Sequence, residues 1–192
     1  MTDLLATGHS SPVSSTAQLA SPAPIALAFD ALYEAQLDFV WRSLRRLGVA
    51  PEGLDDAVQE VFLAVYRRLP EFEPRAKVTT WLFGVCLKVA SASRRRARRK
   101  PSGEPLSPAL EDPARGPHEL TAHAQALRQL DQVLDELDEK KRAVFVMAEV
   151  EQMSAPEMAE VLGENLNTVY SRLRAARQDF EQALTRHQAR QR

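Results

Sequence analysis

Tyr170, Ser171, Arg172, Arg174 and Arg177 crowd the end of the stretch SAPEMAEVLGENLNTVYSRLRAAR, residues 154–177. Their chemistry is that of hydrogen bonds and charge offered to phosphates and base edges. The residues before them say how they are presented. Ser154 followed by Glu157 is a capping box, and Pro156 falls in the first turn, where a missing N–H costs little. Met158, Val161 and Leu162 make one apolar face. Gly163 is placed to end the helix in a left-handed conformation, and Asn165 or Asn167 can cap the next one. That next helix opens at Asn167 and Thr168, buries Val169, Leu173 and Ala176, and turns the polar set outward. A helix, a tight turn and a second helix are the layout of a DNA-reading helix-turn-helix. The plainer reading is two bundle helices with a solvated arginine face.

Two further constellations carry chemistry. In DDAVQEVF, residues 55–62, Val58, Val61, Phe62 and Val65 fall on one side of a helix. Asp55, Asp56, Gln59 and Glu60 fall on the other. Such a face is either merely solvated, which the residues alone favour, or shaped for a basic partner helix. In FEPRAKVTTWLFGVCLKVASASRRRARR, residues 72–99, a proline-bounded loop carries Phe72, Arg75 and Lys77 and leads into a helix with Thr80 and Trp81 at its start. Helix N-termini and nearby cations attract phosphates, and aromatics in a basic loop stack unpaired bases. Trp81 serves equally well as a core residue. Lys88 lies further along, and Arg94 and Arg95 open RRRARRK, six cations in seven positions. A run this dense reads as a nucleic-acid contact rather than a solvated helix end.

The chemistry that is missing narrows the classes. No Ser/His/Asp or Cys/His set and no glycine-rich phosphate loop occurs, so no enzyme activity is expected. One cysteine, Cys86, allows no internal disulfide and reads as a small core residue. The four histidines form no ligand-like group, so no metal site or cofactor is expected. No apolar run reaches the ~18–20 residues of a membrane span, and the Ser/Ala/Pro-rich start lacks a signal peptide's pattern. A cytoplasmic protein is the default. The net charge of −1 conceals segregation: residues 130–163 carry −6 and residues 164–192 carry +3.

The elements that must position these residues are all helical. Residues 1–24 read as a disordered extension. Helices are expected from about Phe29 to Leu47, from Leu54 to Leu69, and from Thr79 or Thr80 into the arginine run. Pro101 to Pro117 holds five prolines and two glycines and reads as a linker. Leucines 120, 127, 130, 134 and 137 then form one stripe, and Val144, Phe145 and Met147 another. The chain is expected to fray after Leu184. The fold class is therefore all-α, with two small helical domains on a flexible tether. The bounds are 1–24 extension, 25–100 first domain, 101–119 linker, 120–186 second domain and 187–192 tail.

Taken in order, three blocks resemble the bacterial sigma-70 family, in particular its extracytoplasmic-function or group-4 branch. AVQEVFLAVYRRLPEF is similar to the family's DLVQEVFLRVYRRLPRF, TTWLFGVCLKVA to TWLYRIARNVA, and residues 134–177 to region 4. The resemblance covers roughly residues 26–100 and 124–184. It implies that the first domain is region 2, with Asp55, Asp56, Gln59 and Glu60 docking on the β′ clamp coiled coil of core RNA polymerase. It implies that Phe72, Arg75, Lys77, Thr80, Trp81, Lys88, Arg94 and Arg95 meet the −10 element, the loop receiving a flipped base. It implies that Asn167, Thr168, Tyr170, Ser171, Arg172, Arg174 and Arg177 of region 4 read the −35 element, while another face meets the β flap. Lys88, Ala92, Tyr170, Ala175 and the pair Leu137-Asp138 depart from the usual pattern, which puts the promoter preference in question.

The function so implied is a transcription initiation factor that brings core polymerase to promoters and helps melt them. Its implied partners are core polymerase, promoter DNA and an anti-sigma factor, with no small-molecule substrate and no membrane insertion. DNA affinity without core should be low. The competing class is a stand-alone helix-turn-helix repressor or activator, which has no need of the Asp55–Glu60 face and would bind a palindrome as a dimer. A helical protein-binding adaptor is a third.

Overall fold

The computed structural model describes residues 23–71, 77–99 and 117–190, with side chains placed over 29–70, 77–99 and 125–190. The expected extension up to residue 22, the loop from Phe72 to Ala76 with Arg75, and the tether up to Gly116 lie outside the described residues. Among the described residues every regular element is helical. They are α1 (Ala23–Arg46), α2 (Leu54–Arg68), α3 (Val78–Arg99), α4 (Pro117–Asp135), α5 (Glu139–Phe145), α6 (Ala155–Leu162) and α7 (Leu166–Arg190). Short 3₁₀ turns cover Pro51–Gly53 and Leu69–Glu71, and a π-turn over Val146–Val150 extends α5.

Periodicity explains the helices. In α2 the residues Leu54, Ala57, Val58, Val61, Phe62 and Val65 recur at spacings of three and four and are all buried. They pack against α1 and α3. Val40 and Leu44 of α1 do the same, with Leu47 just past its end, as do Leu82, Cys86 and Ala90 in α3. Gly48 ends α1 at φ +83°, a left-handed turn that suits glycine. A Cβ there would also collide with Arg142 Nη1 from α5. In the second group α7 packs on α4, α5 and α6. Phe145 and Phe180 stack with ring centroids 4.2 Å apart. Asp138, the second residue of the atypical pair Leu137-Asp138, caps α5 by accepting from the Lys140 and Lys141 N–H groups at 3.0 Å.

One expectation needs correction. The chain does not fray after Leu184, because α7 runs on to Arg190. Arg186 binds Glu136, just past the end of α4, at 2.7 Å and Arg190 lies 3.8 Å from it, so the polar end of α7 is tied down. The two helical groups also pack against each other. One continuous core runs from Val40 and Phe83 through Leu134 and Met147 to Val169. The halves touch where α4 meets α1 and where α6 meets α3.

Cys86 lies wholly inside this core, and burial pushes its thiol up to about 12. The thiolate is the reactive form. The native chain should therefore resist an aromatic disulfide reagent at pH 8 and react only on unfolding. The release of chromophore with and without denaturant checks this.

Candidate nucleic-acid interface

The helix-turn-helix is built as its residues dictate. Ser154 caps α6: its N–H donates to Glu157 Oε2 at 2.8 Å, and its hydroxyl faces the Glu157 N–H in a complete capping box. Those bonds to Ser154, aided by the nearby charge of Lys77, hold the Glu157 carboxyl below its ordinary range. Gly163 ends α6 at φ +64°. Asn165, rather than Asn167, caps α7: its Oδ1 accepts from the Thr168 N–H at 2.9 Å and the Thr168 hydroxyl at 3.0 Å. The frame of α7 is thus fixed at its first turn.

Two members of the outward set on α7 are less available than their spacing suggests. Arg172 is not turned out: it pairs with Glu164 at 2.7 Å and is only 16% exposed. Arg177 stays exposed but is bound to Glu149 at 2.7 Å. The Thr168 hydroxyl is taken by the cap, and Ser171 Oγ donates to the Thr168 carbonyl. Asn167, Tyr170 and Arg174 remain exposed, Tyr170 by 58%. Among the described residues Arg174 has no carboxylate partner. These three are the groups that α7 offers most freely.

On α2 the structure brings the expected face together. Asp55, Asp56 and Gln59 are exposed opposite the buried stripe, and the two aspartates fall in the first turn, where the helix dipole favours them. Glu60 is engaged by Arg96 of α3 through bonds of 2.7 and 3.0 Å. Sequence reasoning had no means of finding that partner within a run of like residues.

The α3 set divides. Lys77, Lys88 and Arg95 are exposed, and Arg95 bonds Ser91 Oγ at 3.1 Å. Thr80 is 6% exposed and faces the core, and Trp81 is half-buried against it. Arg94 does not extend to the surface with its neighbours. It bonds the Leu47 carbonyl and pairs with Glu139 at 2.6 Å, because its place on the helix turns it toward the second half. In this arrangement Thr80 and Arg94 are therefore not presented to a ligand. Phe72 and Arg75 lie outside the described residues.

The ion pairs that join the halves were missed by sequence reasoning altogether. Arg45 meets Asp131 at 3.3 Å, Arg46 meets Glu151 at 3.5 Å, and Arg94 meets Glu139. All three place an arginine of α1 or α3 against an acid of the second half. Burial pushes the Asp131 and Glu151 carboxyls upward and the Arg46 guanidinium downward, against the pull of their partners. The signal in the sequence was the −6 block over residues 130–163, which gave the sign of the surface but not its partners.

Comparison with known proteins agrees with both halves. A family model for sigma-70 region 2 matches residues 32–100, and one for sigma-70 region 4 matches residues 127–180. The RNA polymerase sigma factor CnrH of Cupriavidus metallidurans is 31% identical over 144 residues, covering 71% of this chain and 75% of that protein. The ECF RNA polymerase sigma factor SigE of Mycolicibacterium smegmatis is 30% identical over 166 residues, 83% of this chain and 63% of that one. Among solved structures, CnrH in complex with the cytosolic domain of CnrY superposes with a TM-score of 0.60 at 26% identity, covering 83% of this chain and 89% of that one. RpoE with the anti-sigma factor NepR, from Bartonella quintana, shares the fold, with a TM-score of 0.62 at 18% identity over 82% of this chain and 97% of that one.

Proposed function

The chain belongs to the sigma-70 family and to its extracytoplasmic-function branch, and from that premise we infer how it acts. It is a transcription initiation factor that binds core RNA polymerase and directs it to promoters. The observation that carries this reading is the presence of both regions, in order, each with an exposed polar face over a buried apolar stripe. A stand-alone repressor gives no reason for the first of them.

The division of labour follows the residues. Asp55, Asp56 and Gln59 form the core-docking face on α2, with Glu60 at its edge, and their exposure supports this. Region 2 spans residues 25–100 and region 4 spans 120–186, joined by the proline-rich tether. Lys77, Lys88 and Arg95 supply phosphate contacts near −10, beside Phe72, Arg75, Thr80, Trp81 and Arg94 of the same expected set. Asn167, Tyr170 and Arg174 read −35, flanked by Thr168, Ser171, Arg172 and Arg177. The protein contributes binding and orientation rather than bond-making chemistry, and works where core polymerase is found. Among the described residues no helix is long and apolar enough to cross a membrane. A regulatory protein partner belongs to the same reading, since the CnrH relative was solved with a domain of CnrY.

The test at −35 is the pair Tyr170→Ala and Arg174→Ala. Each side-chain contact to a base edge is worth about 1–3 kcal/mol. Initiation in the presence of core should fall about tenfold or more on a promoter with its −35 element, with core binding unchanged. Equal loss on a template whose −35 element is scrambled would move the reading surface elsewhere.

A further inference from the structure

Five large apolar side chains stay exposed among the described residues: Tyr33, Leu63, Tyr66, Leu166 and Tyr170. Singly exposed apolar residues are ordinary. Tyr33 and Tyr66 also belong to a cluster of rings with Phe29 and Phe62 that closes the seam between α1 and α2. Leu166 and Tyr170 have no such cluster, and they are not single. They lie four residues apart on α7, so one side chain stands a turn beyond the other on the same face. They are 42% and 58% exposed. Both sit in the first two turns of the second helix of the helix-turn-helix, the end that meets base edges in the major groove. The Asn165 cap holds that end in place through the Thr168 N–H and hydroxyl.

The groups that would make this end polar are spent elsewhere. Arg172 lies against Glu164, the Thr168 hydroxyl serves the cap, and Ser171 Oγ donates to the Thr168 carbonyl. Among the described residues the first unpaired cation of α7 is Arg174, about 6 Å of helix beyond Tyr170. Leu166 and Tyr170 therefore form an apolar ridge, with the exposed amide of Asn167 beside it. In the major groove the base edges present hydrogen-bond donors and acceptors, and thymine alone adds an apolar group, its C5 methyl. Against a purine N7 the ridge would strip water and return no hydrogen bond, which costs free energy. Against a thymine methyl it removes two apolar surfaces from water at once.

We propose that Leu166 and Tyr170 select thymine in the −35 element by seating its C5 methyl group between them. Leu166 supplies the aliphatic side of the seat and Tyr170 the face of its ring, and the tyrosine hydroxyl is not needed. The proposal rests on the reading of α7 as the −35-reading helix, and adds the base and the atom that it reads. Leu166 thereby joins the specificity-determining residues. Tyr170, which departs from the family's usual pattern, takes a task that a cation could not perform, since a cation seeks phosphate or guanine.

The experiment uses the full chain assembled with core polymerase, on a promoter fragment from its own operon built from synthetic strands. Binding is read by competition against a labelled copy of the fragment. Scrambling the −35 window should first abolish specific binding. Each thymine of that window, on either strand, is then replaced by deoxyuridine, which removes only the methyl, or by 5-bromodeoxyuridine, which puts an atom of similar size back. With the wild type, deoxyuridine at one or two positions should weaken binding by about fourfold for each methyl. Bromodeoxyuridine at the same positions should restore it. Leu166→Ala and Tyr170→Ala should each bind the natural fragment more weakly and lose most of the preference for thymine over uracil. Tyr170→Phe should keep that preference. Both side chains are exposed, so these changes should leave the fold intact, which circular dichroism checks. Uracil tolerated at every position overturns the proposal, as does a −35 window without thymine. So does a preference that survives both alanine variants, or one that is lost in Tyr170→Phe. In each of these cases the loss on scrambling leaves the −35 reading standing. If scrambling changes nothing, that reading fails and the proposal falls with it.

Discussion

Asp55→Lys with Asp56→Lys should leave the protein folded and abolish its partnership with core polymerase. Both side chains are exposed, and neither bonds another side chain among the described residues. The change therefore removes no hydrogen bond, only the attraction of the Asp56 charge for the exposed Arg96. Its internal cost is the loss of two favourable charges at the α2 N-terminus, about 0.3–1 kcal/mol each. Across an interface the effect is far larger. Truncating one partner of a hydrogen-bonded charge pair costs about 2–5 kcal/mol, and reversal adds repulsion. Affinity for core should fall about a hundredfold or more, read by fluorescence anisotropy of labelled protein titrated with core. Asp38→Lys, an exposed acid on α1, is the control and should bind normally. Glu60→Gln should fall between them, because Glu60 already shares its charge with Arg96. Equal affinity in all the variants would mean that α2 is merely a solvated face.

The second large effect is on stability. Phe83 of α3 is wholly buried and is among the largest side chains with no exposed surface. Phe83→Ala removes its transfer free energy and leaves a cavity in a close-packed interior, a loss of about 3–5 kcal/mol. Domains of this size are stable by about 5–15 kcal/mol, so this is a large share of the whole. The melting temperature followed by far-ultraviolet circular dichroism should fall by roughly 6–20 °C. A loss under ~1 kcal/mol would show that the site collapses freely and that the first half is loosely packed.

How far the sequence discloses the molecule depends on the range of the interaction. The stripe of α2 and the whole helix-turn-helix were legible because caps, turns and periodicity act within a few residues. Ser154 with Glu157, Gly163, and Val58 with Val61, Phe62 and Val65 each declare their role locally. The Asp55–Gln59 face was legible as a face, and only resemblance suggested a partner for it. Arg94 shows where such reading fails. In RRRARRK all the cations look alike, and only helical phase and a distant Glu139 decide which one turns inward. Arg172 fails for the same reason, since Glu164 draws it from the outward set. Thr80 is a polar residue that helical phase sends into the core. The contact between halves was hidden because it joins residues far apart in sequence across a stretch that reads as a spacer. The block of acids over residues 130–163 was its trace.

The most direct test of the central claim is run-off transcription with purified core RNA polymerase, with and without this protein, on promoter fragments from its own operon. Transcripts with a defined start should require both core and the protein, and should disappear with Asp55→Lys and Asp56→Lys. If the protein binds core but starts no transcript on these fragments, a genome-derived promoter pool settles the matter in the same assay. Failure to bind core, together with salt-sensitive binding of duplex DNA by the protein alone, would contradict the account and leave a stand-alone DNA-binding regulator.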